Sequence, residues 1–175
     1  LYLGALRAGV VVAPIAPSVT RESFDAMLQD AGAQWLFVDR SAAELIPESL
    51  PRARVIWLDD KLRGTPFPAW LAPASAAPTP VDVQAEWPFN IIYSSGTTGT
   101  PKGIVQSHSM RWTHVRRGLI YGYGPDTRTL LSTPLYSNTT LVVFFPTLVF
   151  GGCVHLMAKF DAARYAQIAA EQRIT

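Results

Sequence analysis

The sequence predicts an α/β fold, with mainly parallel sheets flanked by helices. Three observations carry that expectation. Short apolar runs recur along the chain, stretches with helical spacing lie between them, and Gly or Pro stands at most of the junctions. Alternation of this kind is how a parallel sheet with crossover helices is written in sequence.

Residues 1–8 read as the end of a helix, with Gly9 as its C-terminal stop. Val10-Val11-Val12-Ala13 reads as a buried strand closed by Pro14 and Pro17. Residues 21–31 have helical spacing, with Phe24, Met27 and Leu28 on one face and Gly32 behind them. Trp35-Leu36-Phe37-Val38 is the next strand. Ser41-Ala42-Ala43-Glu44 has the form of a capping box, so a short helix is expected there, ending before Pro47. Val55-Ile56-Trp57-Leu58 is a further strand. Residues 1–63 therefore read as a partial α/β subdomain.

Residues 64–88 differ. Pro66, Pro68, Pro73, Pro78, Pro80 and Pro88 punctuate an Ala-rich stretch, which reads as an irregular surface connection. It is either a linker between subdomains or a long insert. Residues 89–175 then resume α/β order. Strands are expected at 89–93, 104–106, 129–132 and 154–157. Helices are expected at 107–121, at 140–150 with a kink at Pro146, and from a cap at Asp161 to Gln172.

Composition narrows the function classes. Net charge is only +2, too small to indicate a nucleic acid or an anionic membrane as partner. Arg111, Arg116 and Arg117 form the nearest thing to a basic patch and read as a solvated helix face. Charged residues make up 16%, against roughly 25% in typical soluble domains. The shortfall suggests that further chain covers part of the apolar surface. Residues 129–158 hold no Asp, Glu, Lys or Arg. Polar residues fill the first half of that stretch, and Pro146 and Gly151-Gly152 break the second, so it reads as core and no transmembrane segment is expected. Cys153 is the only cysteine, so neither an intrachain disulfide nor a Cys-based zinc site is possible. Within its apolar run it reads as a packing residue. His108, His114 and His155 are not spaced as a metal set, and His108 reads as a capping or space-filling residue. No basic start with a cleavage site is present, and a reducing, cytoplasmic setting fits.

One loop carries chemistry. Between Ser94 and Lys102 stand two serines, two glycines, three threonines, one proline and one lysine. Glycines let backbone N–H groups converge on an anion. The hydroxyls add donors, and Lys102 adds a compact positive charge. Lys occurs elsewhere only at Lys61 and Lys159, so its place in the loop does not reflect a Lys-rich surface. One unit charge pair at about 4 Å in an effective dielectric of about 20 is worth about 4 kcal/mol before desolvation. A polyphosphate suits such a loop; a small polar hairpin turn would share the composition but not the order. The common P-loop does not fit, since Pro101 falls at its second glycine and Gly103 follows the Lys. The dinucleotide fingerprint fails too, because Thr127 stands where a third glycine should follow Gly122 and Gly124.

Ile91 and Ile92, followed by Ser94-Ser95-Gly96-Thr97-Thr98-Gly99-Thr100-Pro101-Lys102-Gly103, closely resemble the phosphate-binding signature of the adenylate-forming (AMP-binding) superfamily. That superfamily includes acyl-CoA synthetases, aryl-CoA ligases, peptide-synthetase adenylation domains and firefly-type luciferases. Every position of the signature is matched. Gly4-Ala5-Leu6-Arg7-Ala8-Gly9-Val10, the stretch from Pro14 to Pro17, Ser107-His108, Ser132-Thr133-Pro134-Leu135-Tyr136 and Gly151-Gly152 are similar to other family segments. Residues 59–88 match none. After the aromatic Tyr136, many members place a His; here Ser137 and Asn138 follow, which alters the usual contact near the acyl carboxylate.

The resemblance implies a fragment of the two-subdomain large N-terminal domain of these enzymes, the subdomains meeting near residues 64–88. It implies ATP-dependent activation of a small-molecule carboxylic acid to an acyl-adenylate, then transfer to coenzyme A. An adenylation domain loading an amino or aryl acid onto a carrier-protein thiol is the alternative, and a non-catalytic nucleotide-binding remnant is another. Ser94, Ser95, Gly96, Thr97, Thr98, Gly99, Thr100 and Lys102 are expected to hold the phosphates, with Thr97 and Lys102 serving catalysis. Magnesium would arrive with ATP, Thr97 being the one candidate contact and no protein metal site being expected. Tyr136 reads as a substrate-wall or a core aromatic, with Ser137 beside it. No Tyr-Gly-x-Thr-Glu or Thr-Gly-Asp segment and no catalytic C-terminal Lys occurs. The rest of the same polypeptide is thus the expected partner, and the segment alone should turn over nothing.

Overall fold

A computed structural model describes residues 1–46, 54–59, 64–94 and 101–175. The chain divides into two compact units and passes between them repeatedly. The first holds Leu1–Gly9, Ile15–Asp82 and Tyr93–Ile104; the second holds Val10–Pro14, Val83–Ile92 and Val105–Thr175.

In the first unit, helix α1 (Tyr2–Arg7) ends at Gly9, whose φ of 69° is open to glycine at no steric cost. Helix α2 (Arg21–Asp30) starts where Thr20 Oγ1 accepts the Ser23 N–H at 3.2 Å, and it buries Phe24 and Met27. Gly32 follows at φ 58°. Strands β1 (Trp35–Val38), β2 (Arg54–Trp57) and β3 (Thr65–Pro66) form a parallel sheet in that order. Trp35 lies opposite Arg54, and Ile56 opposite Thr65. Val38, Ile56 and Trp57 are its buried members.

Two local expectations fail here. The turn after β1 is a 3₁₀ helix over Arg40–Leu45, capped by Asp39 and not by Ser41. Asp39 accepts the Ser41 N–H at 2.9 Å, and the Ser41 hydroxyl bonds to the same oxygen. The carboxylate is the stronger acceptor, so it takes the cap and Ser41 becomes a donor. The Pro-rich stretch, read as irregular, opens with β3 and the short helix α3 (Phe67–Trp70). Pro66 is tolerated on a short edge strand and Pro68 in a first helical turn, where its missing N–H is not needed. What holds α3 is aromatic packing. Trp70 meets Phe37 edge-on at 5.0 Å and Trp35 at 5.8 Å, and stacks with Phe67 at 5.9 Å.

In the second unit, the run at residues 10–13 forms no strand. Val12 alone bridges to Asn90, donating to Phe89 O and accepting from Ile91 N. The next ladder bond would need an N–H from residue 14, which is Pro14. Strand β4 (Pro88–Ser94) pairs with β5 (Lys102–Ser107), and both strands contribute residues to each unit. Helix α4 (His108–Arg116) follows, capped by Ser107, and tightens into a 3₁₀ turn over Arg117–Leu119. Glycine is required in that turn. A Cβ on Gly118 would lie 2.9 Å from both Phe150 and Pro146.

A β–α–β crossover completes this unit. Strand β6 (Arg128–Leu131) leads through α5 (Asn138–Val149) to β7 (Cys153–Leu156), parallel to β6 with Arg128 opposite Cys153. Helix α5 runs through Pro146, and its Leu141, Phe144 and Phe145 are buried with Leu130 and Leu131 of β6. Thr147 is fully buried and tied to Thr129 at 2.6 Å. Helix α6 (Ala162–Glu171) is capped by Asp161, which accepts the Arg164 N–H at 2.7 Å. Cys153, read as a packing residue, is exposed, with its sulfur 3.6 Å from His155 Nε2. Cys153 stands at one end of the four-residue strand β7, whose two ends are exposed and whose two middle residues are half-buried. Among the described residues no helix is long and apolar enough to cross a membrane.

Candidate phosphate-loop and acid-binding site

The signature begins at the end of β4 and finishes at the start of β5. Ser94, the last residue of β4, and Lys102, the first of β5, are both exposed. Ser95, Gly96, Thr97, Thr98, Gly99 and Thr100 lie outside the described residues. The structure thus gives the mounting of the loop: two paired strands joined by a short run, with a hydroxyl at the entry and an ammonium at the exit.

The entry is anchored. Tyr93, next to Ser94, donates its hydroxyl toward the Met27 carbonyl at 3.0 Å and the Asp30 carboxylate at 2.7 Å, both at the C-terminal end of α2. Burial raises the phenol's pKa, and the Asp30 hydrogen bond and charge raise it further, so Tyr93 remains a donor. Tyr93→Phe removes this tie alone. The expected cost is about 1 kcal/mol of unfolding free energy, read as a lower urea midpoint at unchanged slope. No shift of the midpoint would show that the tie does not anchor the loop.

The second group of expected site residues precedes α5. Tyr136 and Ser137 are half-buried. Ser137 stands at the N-cap position, yet its hydroxyl pairs with Thr139 Oγ1 at 2.6 Å and caps no backbone N–H. Thr133 is tied to the buried Thr140 by a hydroxyl pair at 2.6 Å. The stretch from Thr133 to Ser137 is thereby held against the first turn of α5.

The residue that sequence reading missed is Arg111. The solvated face expected of Arg111, Arg116 and Arg117 holds only for the last two: Arg116 and Arg117 are exposed, whereas Arg111 is buried at 2% exposure. Its Nη2 donates to Gln106 Oε1 and to Asn138 Oδ1, the latter at 3.0 Å. Gln106 Nε2 also donates to Asn138 Oδ1 at 3.3 Å. The guanidinium lies 5.6 Å from the Phe89 ring centre and 5.7 Å from that of Phe145. A signal was present: Arg111 and the buried Val115 are four apart and share one face of α4.

The histidines are packed residues. His108 meets the Phe89 ring edge-on at 5.0 Å, and burial lowers its pKa. His114 is lowered first by burial and then by the charges of Arg111 and Arg117. Its Nδ1 has no hydrogen-bond partner among the described residues. Among those residues no group of three or more His, Cys, Asp or Glu side chains could hold a metal ion.

Comparison with known proteins bears on this arrangement. The sequence profile of the AMP-binding enzymes matches residues 1–175. A nonribosomal peptide synthetase of Glarea lozoyensis is 37% identical over 91% of this chain, and one of Aspergillus rugulosus is 32% identical over 99% of it. The chain spans only 2% of the length of either relative. In three dimensions it resembles a candidate long-chain-fatty-acid CoA ligase of Rhodopseudomonas palustris, with a TM-score of 0.85 at 19% identity. All of this chain and 45% of that one are covered. That likeness shows the α/β fold, with its parallel sheets and flanking helices. A profile matched from end to end, with the whole signature mounted between β4 and β5, shows that the chain belongs to the family of AMP-binding, adenylate-forming enzymes.

Proposed function

We propose that the chain serves ATP-dependent activation of a carboxylic acid, followed by transfer of the acyl group to a thiol. The observation that carries this reading is the complete signature from Ser94 to Gly103, strung between paired strands with Ser94 and Lys102 exposed. In the first step a carboxylate oxygen attacks the α-phosphorus of ATP, the bond to pyrophosphate breaks and an acyl-adenylate forms. In the second a thiol sulfur attacks the acyl carbon, the bond to AMP breaks and the thiol proton is released. AMP is a far better leaving group than oxide, which is the reason for two steps.

The residues divide the work. Lys102 places a compact cation where charge builds on the departing pyrophosphate. Thr97 and Thr98 supply hydroxyl donors, and the glycines free backbone N–H groups for the β- and γ-phosphates. The donor set fits a polyphosphate, and magnesium bound with ATP would neutralise part of its charge. Tyr136 and Ser137 are assigned to the acid.

The thiol has two readings. Coenzyme A follows from the family's acyl-CoA synthetases. The relatives at 32% and 37% identity are peptide synthetases, which supports the carrier-protein thiol instead. The test is carboxylate-dependent exchange of labelled pyrophosphate into ATP by the full-length polypeptide that carries this chain. Fatty, aryl and amino acids are offered as separate pools, and then coenzyme A or a phosphopantetheinylated carrier domain as acceptor. Exchange with one pool is expected, with AMP release completed by the carrier. No exchange from folded protein would overturn adenylation; completion by coenzyme A alone would overturn the carrier reading.

A further inference from the structure

We infer that Arg111 is a positioning residue for the acid-binding stretch before α5; the inference rests on the adenylation reading above. Three elements of the second unit meet at its guanidinium. Gln106 comes from β5, Arg111 from α4, and Asn138 is the first residue of α5. Asn138 Oδ1 accepts from both Arg111 Nη2 and Gln106 Nε2. Tyr136 and Ser137 immediately precede Asn138 in the chain. Wherever Arg111 holds Asn138, the start of α5 is fixed, and with it the backbone of the two residues assigned to the acid.

The choice of residue fits that role. A buried cation is costly unless its hydrogen bonds and surroundings compensate it. Here two amide oxygens accept from it and two aromatic rings, Phe89 and Phe145, lie within cation–π range. Both hydrogen bonds leave one nitrogen, Nη2, whose two N–H groups lie in the rigid guanidinium plane, so the two acceptor directions are fixed. Buried polar networks specify a unique arrangement more than they add stability. A simple packing role would be met better by an apolar side chain of similar volume.

The test uses R111K, N138A and N138D in the full-length polypeptide, with pyrophosphate exchange measured against acid and ATP concentration separately. R111K keeps the charge and loses the planar pair of N–H donors on Nη2. N138A removes the acceptor, and N138D restores it. R111K and N138A should each raise the acid KM about tenfold, as expected for loss of one charged hydrogen bond. The ATP KM should stay within about twofold, and N138D should restore the acid KM. The double variant R111K/N138A should be no worse than the worse single one, since both act through one contact. If R111K does not fold, the N138A and N138D pair decides alone. Active wild-type protein whose variants lose kcat equally for both substrates, or lose nothing, would overturn the inference and leave adenylation standing. Wild-type protein without any exchange would overturn both.

Discussion

Replacing Lys102 by Ala in the full-length polypeptide should slow carboxylate-dependent pyrophosphate exchange about 10²-fold, the size seen when one preorganised electrostatic donor is removed. Thr97→Ala should act in the same direction and by a similar factor. Both residues lie in the one part of the chain whose order of residues matches a phosphate signature throughout. Lys102 begins β5 and is exposed, so its replacement removes charge from the loop without opening the core. Unfolding should therefore be nearly unchanged while turnover falls, and a matching loss of stability would point to a structural role. Full exchange activity in both variants would remove the assignment of the loop to pyrophosphate.

Leu141→Ala should lower the unfolding free energy by about 2–5 kcal/mol, the usual cost of truncating a large core side chain. Leu141 has 0% exposure and sits in the first half of α5, the crossover helix between β6 and β7. A cavity there has few ways to collapse, because α5 packs against α4, β6 and β7 together. Chemical unfolding of the full-length polypeptide would read the loss as a lower midpoint at unchanged slope. A loss below about 1 kcal/mol, joined to a raised acid KM, would instead place Leu141 in the wall of the acid site.

Much of the fold was legible because its signals are local. The strands at Trp35 and at Leu130, the Gly stops at Gly9 and Gly32, and the cap at Asp161 each depend on a few neighbouring residues. The signature is also local, since a phosphate loop needs particular residues in a particular order. Some failures were local, as where Asp39 took the cap from Ser41, and others turned on a partner distant in sequence. Val12 could not extend its bridge because the strand beside it needed an N–H that Pro14 lacks. The Pro-rich stretch formed α3 because Phe37 and Trp35 offered rings to pack on.

The family and the alternation of helix and strand were determined by the amino-acid sequence alone. Only the tertiary structure decided the fate of Arg111 and Cys153. The arginine was drawn inside by amide oxygens 5 and 27 residues away, and the cysteine was left exposed within its apolar run. Helical spacing puts Arg111 on the Val115 face of α4, but burial of a charged group depends on whether the fold brings acceptors to it, which spacing alone does not record.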